Sequence, residues 1–354
     1  MKLVVIHLLA YIRMKKLLTI IIPTYNMEKY LRNCLGSLIV SNDKMQEIEV
    51  LVINDGSKDL SSQIAHEYEE KYPQAFRVID KENGNYGSCI NRGIKEANGR
   101  YVKILDADDS FDTVSFDKFL CFLDKCNEDV VVSDVDCVDE NGIIIKKAKY
   151  NFPPYQRFMI NEIPLEIIEM HAITYKLDVL RGIAYHQTEG ISYTDNEWTT
   201  IPLVNTENII YFPKPIYRYL MGRYGQTIGA LVKNSDQFEK VLYSIMGQLE
   251  GMGTFGKAEK YLRFRLQHIL MCFYKEFLIA DKCKHMEKIV AFDKRLKTDF
   301  PNYYALADDV VLNDYLPYHY IREWRNTYSN KIPYAWLHRL IANVGSRIRI
   351  LMYN

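Results

Sequence analysis

The sequence predicts an α/β fold in which a doubly wound, mostly parallel sheet is followed by a helical C-terminal region. Short apolar, β-branched runs alternate with segments of helical spacing from Leu17 to Ser133, which is typical of a parallel sheet with crossover helices. Polar residues follow each of the first four apolar runs. From about residue 237 onward only helical spacing remains.

Five apolar runs are predicted as strands, and the first of them is β-branched enough to be buried on both faces. They are Leu17–Ile22, Ile48–Ile53, Phe76–Ile79, Tyr101–Leu105 and Asp129–Ser133. Helical spacing separates them, and Asn98-Gly99 stops the third helix. The helices are predicted over Met27–Val40, Asp59–Lys71, Tyr86–Ala97 and Ser115–Lys125.

The alternation ends at Asn141-Gly142, a hairpin-type turn signal. Residues 143–160 are interpreted as a connecting excursion. The pattern then predicts a strand over 171–175, a helix from Asp195, late strands near Ile209 and Ile216, and helices near 237–249, 257–281, 314–326 and 335–352. We therefore expect an N-terminal extension over 1–16, an α/β domain over 17–230 and a helical region over 231–354.

Composition excludes some classes of protein. The 354 residues include 45 Lys and Arg against 45 Asp and Glu, so no global positive field for nucleic acid exists. Seven cysteines without a Cys-x-x-Cys pair argue against a disulfide framework or zinc site and fit a reducing cytoplasm. The apolar run Leu3–Ile12 is too short to span a bilayer, and no signal-peptide cleavage site follows it. We therefore favour translation from Met14, which would make residues 1–13 an extension.

The polar residues after the strands form the candidate site, because ligands of such sheets gather beyond the carboxyl ends of the strands. Asp106-Ala-Asp108-Asp109 is the most acidic of these clusters. Its carboxylates repel one another, and a divalent cation such as Mg²⁺ or Mn²⁺ would relieve that repulsion and could bridge to a diphosphate. The same spacing recurs at Asp134 and Asp136, where we favour a turn.

Two other strand ends carry candidate ligands. Asp55 can accept hydrogen bonds from a nucleobase or ribose, although Asp-Gly-Ser is also ordinary turn chemistry. Asn83-Gly-Asn-Tyr-Gly-Ser88 enters a helix, and free backbone amides there suit a phosphate. This segment is not a Walker loop, because no Gly-Lys-Ser/Thr follows. It is not a dinucleotide fingerprint either, because the glycine spacing is wrong.

Four motifs in fixed order carry a family resemblance: Ile22-Pro-Thr-Tyr-Asn26, Val52-Ile-Asn-Asp-Gly-Ser57, Asn83-Gly-Asn-Tyr-Gly-Ser88 and Leu105-Asp-Ala-Asp-Asp109. This set resembles glycosyltransferase family 2, whose members have the GT-A fold and invert the anomeric carbon. The resemblance is strong over residues 17–115 and extends to about 230. It implies transfer from a nucleotide-diphosphate donor, with a UDP-sugar expected, to a hydroxyl of a glycan or lipid-linked acceptor in cell-surface polysaccharide synthesis.

The resemblance also implies roles for the donor-side residues. Asp106 would face the ribose, Asp108 would bind the divalent cation, and Asp109 would support the turn. Arg218 and Arg223 would contact the diphosphate, for which the guanidinium fork is suited. The nucleotide base would be held by Pro23, Thr24, Tyr25, Asp55 and Asn83.

The family's catalytic base lies in a Glu-Asp pair that opens a later helix, and Asp195 matches it. An ionised aspartate can accept the proton of the acceptor hydroxyl. The bland alternative for Asp195 is a helix N-cap. Glu197 is the fallback base and Glu189 a weaker one, while His171 is open between acceptor binding, metal binding and a structural role.

Two positions depart from the family pattern. Ile90-Asn91 replaces the Arg-Asn pair of many members, and Thr194 replaces the glutamate before the base. The first departure puts an arginine contact to the donor in doubt. The second does the same for hydrogen bonding on the acceptor side.

Alternatives remain for the function and for the C-terminus. A sugar-1-phosphate nucleotidyltransferase would need a glycine- and lysine-rich loop after the first strand, which is missing here. A non-catalytic sugar-nucleotide- or glycan-binding protein is the other alternative. The segment Trp336–Met352 is predicted as a basic amphipathic helix that either lies on the inner face of the cell membrane or packs on the protein body.

Overall fold

The computed structural model describes residues 16–223, 234–253, 255–281, 283–311, 317–334 and 336. The chain divides into two compact units, Met1–Gly225 and Gln226–Asn354. The predicted boundary near residue 230 lies outside the described residues, as do residues 1–15 of the expected extension. The predicted C-terminal amphipathic helix also lies outside them, apart from Trp336.

A mixed sheet forms the centre of the first unit. Its strands are β1 (Leu18–Thr24), β2 (Ile48–Asn54), β3 (Phe76–Asp80), β4 (Tyr101–Ile104), β5 (Ser110–Phe111), β6 (Val130–Val138), β7 (Ile144–Ala148), β8 (Arg157–Met159), β9 (Ile173–Lys176) and β10 (Asn208–Leu220). The order is β3-β2-β1-β4-β9-β6-β10-β5, with β7 on β6 and β8 on β10. The five predicted strands are confirmed.

The helices of the first unit follow the strands as predicted. They are α1 (Glu28–Gly36), α2 (Asn42–Glu47), α3 (Ser61–Lys71), α4 (Asn85–Glu96), α5 (Thr113–Leu123), α6 (Leu177–Gly182) and α7 (Asp195–Trp198). α4 packs directly on β1. A side chain at Gly93 would come within 2.5 Å of Ile21, so glycine is what allows this close packing.

The sheet has two halves of different construction. In the parallel half, β3, β2, β1 and β4 run side by side, and β2 is buried along its whole length. In the mixed half, β9 lies antiparallel between β4 and β6, and β10 runs parallel to β6 and antiparallel to β5. The first half is parallel, as expected. The second half contains both parallel and antiparallel strand pairs.

Three predictions for the mixed half are wrong. Asp134 and Asp136 lie inside the buried strand β6 rather than in a turn, and Asp134 accepts a hydrogen bond from Tyr211. Residues 143–160 contain β7 and β8 instead of a plain excursion. The two late strands are one strand, β10, whose register shifts between Phe212 and Tyr217, where prolines cannot donate ladder hydrogen bonds.

The second unit is helical as predicted. Its described helices are α8 (Ser235–Gly251), α9 (Glu259–Lys275, continued by a π-helical turn over Glu276–Ala280), α10 (Met286–Asp299), α11 (Pro301–Asp308) and α12 (Tyr320–Arg325). α10 and α11 are not predicted from the sequence, because charged residues of α10 mask the apolar spacing of Ile289, Phe292 and Leu296. A buried ion pair between Arg325 and Asp293, 2.8 Å long, helps to fix α12.

Within the part of the chain that the structure describes, no helix combines the length and the apolar character that crossing a bilayer requires.

Candidate active site

A cavity of about 500 Å³ opens at the carboxyl ends of β1, β2 and β3. Tyr25, which is 46% exposed, and Asn83 both line it. The Thr24 side chain is instead buried and bonds back to the Ile22 carbonyl. Of the predicted base-binding residues, Tyr25 and Asn83 are therefore the ones that the structure places on the cavity wall, while Pro23 and Thr24 form the end of β1.

Asp55 is buried beneath this cavity and is engaged by its own neighbours. Its Oδ1 accepts hydrogen bonds from Lys81 Nζ at 2.6 Å and the Gly84 amide at 2.9 Å, and its Oδ2 accepts one from the Asn85 amide at 2.9 Å. The expectation that free amides at the start of α4 suit a phosphate is wrong for Gly84 and Asn85, because Asp55 occupies both. A nucleobase contact by Asp55 stays a prediction.

Asp106 lies where β4 ends, at the centre of the acidic cluster. Its Oδ1 accepts a hydrogen bond from the Tyr86 hydroxyl at 2.7 Å, and its Oδ2 lies 4.0 Å from Nε2 of His171. Burial, and after it the charge of Asp108, raises the pKa of Asp106 to about 7. A negative charge here is thus destabilised by its surroundings, although part of the side chain reaches the surface.

Asp109 turns away from this surface into the protein. Its Oδ2 accepts a hydrogen bond from the Tyr217 hydroxyl and its Oδ1 one from the Leu220 amide, both at 2.7 Å. Burial, with the charges of Asp108 and Asp106 added, raises its pKa well above the ordinary value. These contacts suit the supporting role that the sequence predicts for Asp109.

The two predicted diphosphate-binding arginines lie in different places. Arg223 forms an ion pair with Asp108, the predicted metal ligand. Arg218 forms one with Asp112, the residue that caps α5 by accepting a hydrogen bond from the Ser115 amide. The structure thus brings Arg223 into the acidic cluster, whereas Arg218 is engaged at the start of a helix.

His171 faces the same cluster from the turn Met170–Ala172. Three potential metal-ligand atoms lie within 4.8 Å of one another, one each on Asp106, Asp109 and His171. Burial, with the nearby Lys103, lowers the pKa of His171 to about 3, so the imidazole is neutral and Nε2 can act as a ligand. Two carboxylates beside an imidazole form a donor set that fits Mn²⁺.

Asp195 lies on the one-turn helix α7 and is exposed. It is the first residue of that turn and Thr194 takes the N-cap position, so the capping alternative for Asp195 is wrong. Its charge contributes to the raised pKa of Asp106 and of Tyr86, although for both groups burial is the largest cause. Asp195 is therefore near enough to Asp106 for the two charges to interact.

The two fallback bases are held by other parts of the chain. Glu197 is fully buried and accepts hydrogen bonds from the Thr188 amide at 2.8 Å and hydroxyl at 2.6 Å. Glu189 is exposed and accepts a hydrogen bond from the Asn91 side chain at 2.9 Å. A buried carboxylate with these bonds supports the loop before α7 and is poorly placed to meet an acceptor.

Sequence reasoning missed three residues that build the site. Tyr86 bonds Asp106, Lys103 lies beneath His171, and Asn91 binds the backbone of Gln187 on the loop that precedes Asp195. Asn91 had a signal, since it stands beside the place where many family members carry an arginine. Tyr86 and Lys103 had none, because their partners are distant in sequence or buried.

Comparisons with known proteins agree with this geometry. Residues 19–181 match the profile of the family described as glycosyl transferase family 2. This part of the chain, residues 19–181, belongs to glycosyltransferase family 2.

Relatives of this glycosyltransferase include an uncharacterised glycosyltransferase of Mycoplasma genitalium, 28% identical over 242 residues, which cover 63% of this chain and 74% of the relative. The minor teichoic acid biosynthesis protein GgaB of Bacillus subtilis is 36% identical over 112 residues, or 32% of this chain and 12% of that protein. The match therefore involves only a small part of GgaB.

A solved structure, S. aureus TarS residues 1–349 in complex with UDP-GlcNAc, superposes with a TM-score of 0.66. It covers 88% of this chain and 92% of TarS 1–349 at 20% sequence identity. This likeness confirms the GT-A fold and the helical region that follows it. The chain is a glycosyltransferase enzyme.

Proposed function

We propose that this glycosyltransferase moves a sugar, with inversion at the anomeric carbon, from a UDP-sugar to a hydroxyl of a glycan or lipid-linked acceptor in cell-surface polysaccharide synthesis. The observation that carries the proposal is the position of Asp195. It is exposed on a turn, and its charge interacts with Asp106 of the acidic cluster, while a separate cavity lies at the other strand ends. Relatives named for teichoic acid synthesis and for UDP-GlcNAc binding support the choice of donor and pathway.

The roles of the residues follow from this placement. Tyr25 and Asn83 contact the nucleotide base on the cavity wall, with Pro23, Thr24 and Asp55 supporting the loops that carry them. Asp195 accepts the proton of the acceptor hydroxyl as the hydroxyl oxygen bonds to the anomeric carbon and the bond to the nucleoside diphosphate breaks. The arrangement of base and leaving group on opposite sides of the sugar gives inversion.

The acidic cluster would hold a divalent cation, Mn²⁺ or Mg²⁺, whose chemistry is to neutralise charge on the departing diphosphate. Asp108, as predicted from the sequence, and the set of Asp106, Asp109 and His171 are the candidate ligands. Because Arg223 already pairs with Asp108, we propose that this guanidinium is shared between Asp108 and the donor diphosphate. Arg218 is assigned no direct contact, since it is engaged with Asp112.

The donor experiment is a screen of UDP-, GDP- and dTDP-sugars for Mn²⁺-dependent hydrolysis or transfer. We expect turnover with a UDP-sugar and loss of nucleotide-sugar binding in Asp108→Ala. No turnover with any donor, together with unchanged nucleotide binding in Asp108→Ala, would overturn the proposal.

The base experiment is Asp195→Asn, which keeps the size of the side chain but removes its basicity. Transfer should fall by at least about 10³-fold, because proton abstraction is lost, while the Kd for the donor stays within about threefold of wild type. Steady-state kinetics and calorimetric titration with UDP measure the two quantities. Glu197→Gln is the matched control, because it removes a carboxylate charge from the same helical turn. Activity of Asp195→Asn above a tenth of wild type contradicts the assignment of Asp195 as the base.

A further inference from the structure

Lys103 is a buried ammonium group next to the reaction centre. It lies on β4, three positions before Asp106, and its side chain has no exposed surface. Burial lowers its pKa to about 7, and no carboxylate within residues 16–223 contributes to that shift. A charge in such a place is unfavourable unless its protons are bonded, so its contacts explain its presence.

Its hydrogen bonds go to one short segment of backbone, and its ammonium lies 5.8 Å from the centroid of the Tyr217 ring. Lys103 Nζ donates to the His171 carbonyl oxygen at 2.7 Å and to the Ile173 carbonyl oxygen at 3.2 Å. These two hydrogen bonds therefore connect β4 to the turn Met170–Ala172 and to the start of β9. A hydrogen bond from Ser133 to the Ala172 carbonyl oxygen also reaches the backbone of this turn, but it is 3.4 Å long and uncharged, so the lysine is the stronger tie.

The tied turn lies beside Asp106, next to it through His171 and indirectly through Tyr86. The Tyr86 hydroxyl that binds Asp106 Oδ1 also lies 3.5 Å from the sulfur of Met170. On the other side, His171 Nε2 lies 4.0 Å from Oδ2. The His171 ring is held between Tyr217 and Tyr219, with centroid distances of 4.8 Å and 4.5 Å. Its direction therefore depends both on these rings and on where its backbone is fixed.

We propose that Lys103 is a positioning residue: it fixes the turn Met170–Ala172 so that His171 points at Asp106 and completes the cation site. This inference rests on the proposed function, because it concerns the cation site of the acidic cluster. Lys103 does not touch the substrate and acts through the backbone of His171. Residues that orient a metal ligand commonly change metal affinity by about 10- to 100-fold when they are lost.

The test uses Lys103→Met, which keeps the length and apolar stem of the side chain but removes the ammonium. Mn²⁺ affinity, measured by electron paramagnetic resonance of the free ion, should weaken by about tenfold or more. Lys103→Gln, which retains one donor, should fall between Met and wild type. Thr174→Val is the control, because the Thr174 hydroxyl on β9 is buried and bonds no partner in the described residues; its affinity should stay within twofold of wild type.

A second measurement does not depend on metal. Hydrogen–deuterium exchange of the amides of residues 170–174 should be faster in Lys103→Met than in wild type and unchanged in Thr174→Val. Mn²⁺ affinity and exchange both within twofold of wild type in Lys103→Met would overturn the inference, and so would equal losses in Thr174→Val. If wild type binds no Mn²⁺, the proposed cation site fails, while the exchange experiment still decides whether Lys103 holds the turn.

Discussion

The parallel and mixed halves of the sheet supply the site in different ways. In the parallel half, each strand is followed at once by its own polar residues, and the loops after β1, β2 and β3 line the cavity. In the mixed half, single side chains return to the acidic cluster from far along the chain. Asp106 meets His171, Asp108 meets Arg223, and Asp109 meets Tyr217, the last pair 108 residues apart.

This difference separates two tasks. Local loops are enough to form a cavity, but apart from Tyr86 the partners described above for the cluster of carboxylates come from later in the chain. Like charges at one strand end would otherwise destabilise the fold. The mixed half is therefore as much a part of the acidic site as the motif itself, and substitutions in the two halves should have different signatures.

The largest effect on stability is expected for Tyr217→Phe. The Tyr217 hydroxyl donates to Asp109 Oδ2 at 2.7 Å and accepts from the Asp106 amide at 3.1 Å. Its loss leaves two buried polar groups without this partner, so the free energy of unfolding should fall by about 3 kcal/mol. Urea denaturation measures the change. Tyr219→Phe is the control on the same strand, and an equal loss there would show that the hydroxyl of Tyr217 has no special role.

A smaller effect is expected on donor binding when the two arginines are compared. Arg223→Ala should raise the Kd for UDP about tenfold, or by ~1.4 kcal/mol, because the cluster loses the guanidinium that we assign to the diphosphate. Arg218→Ala should change that Kd by less than about threefold, since its partner Asp112 belongs to the cap of α5. Calorimetric titration with UDP distinguishes the two. Equal losses would place Arg218 in the donor site after all.

The smallest effect concerns a pH-dependent contact in the parallel half. Hydrogen bonds that the imidazolium donates to Asp80, and then to Glu69, raise the pKa of His66 above its ordinary value of 6.5, although the ring is partly exposed. The folded protein thus binds this proton more tightly than the unfolded chain. The stabilisation is complete below pH 6.5 and is lost as the pH rises through the folded value.

His66→Gln should therefore lower the free energy of unfolding by less than about 1 kcal/mol at pH 5.5 and by almost nothing at pH 9. Urea denaturation of wild type and variant at the two pH values measures the difference. A loss of equal size at both would mean that the charge of His66 is not involved.

The parallel half could be predicted from sequence because its signals are local. A run such as Ile48–Ile53 is buried on both faces, and the polar residues that follow it lie at the site by the geometry of parallel strands. The same logic predicts Asp106–Asp109 as site residues and, with the family pattern, Asp195. The start of α4 was misread because nothing local indicates that Asp55 binds its amides.

The mixed half could not be predicted in this way because its pairings are long-range. Asp134 looks like a turn residue from its neighbours, and only the tertiary contact with Tyr211 shows why a carboxylate can stay in a buried strand. Similarly, the roles of Tyr217 and Lys103 depend on β9 and β10 entering the sheet beside β4 and β6. No periodicity in the chain encodes that order.

Two close backbone approaches connect the two halves. A side chain at Gly87 on α4 would come within 2.1 Å of the Thr188 carbonyl oxygen, and the Gly190 amide donates to the Gly84 carbonyl oxygen at 3.0 Å. The start of α4 and the loop before Asp195 are thus packed so closely that a change in one requires a change in the other. Among relatives, these two segments should change only together: a residue larger than glycine at the position of Gly87 should be accompanied by a different length or path of the loop at 187–190.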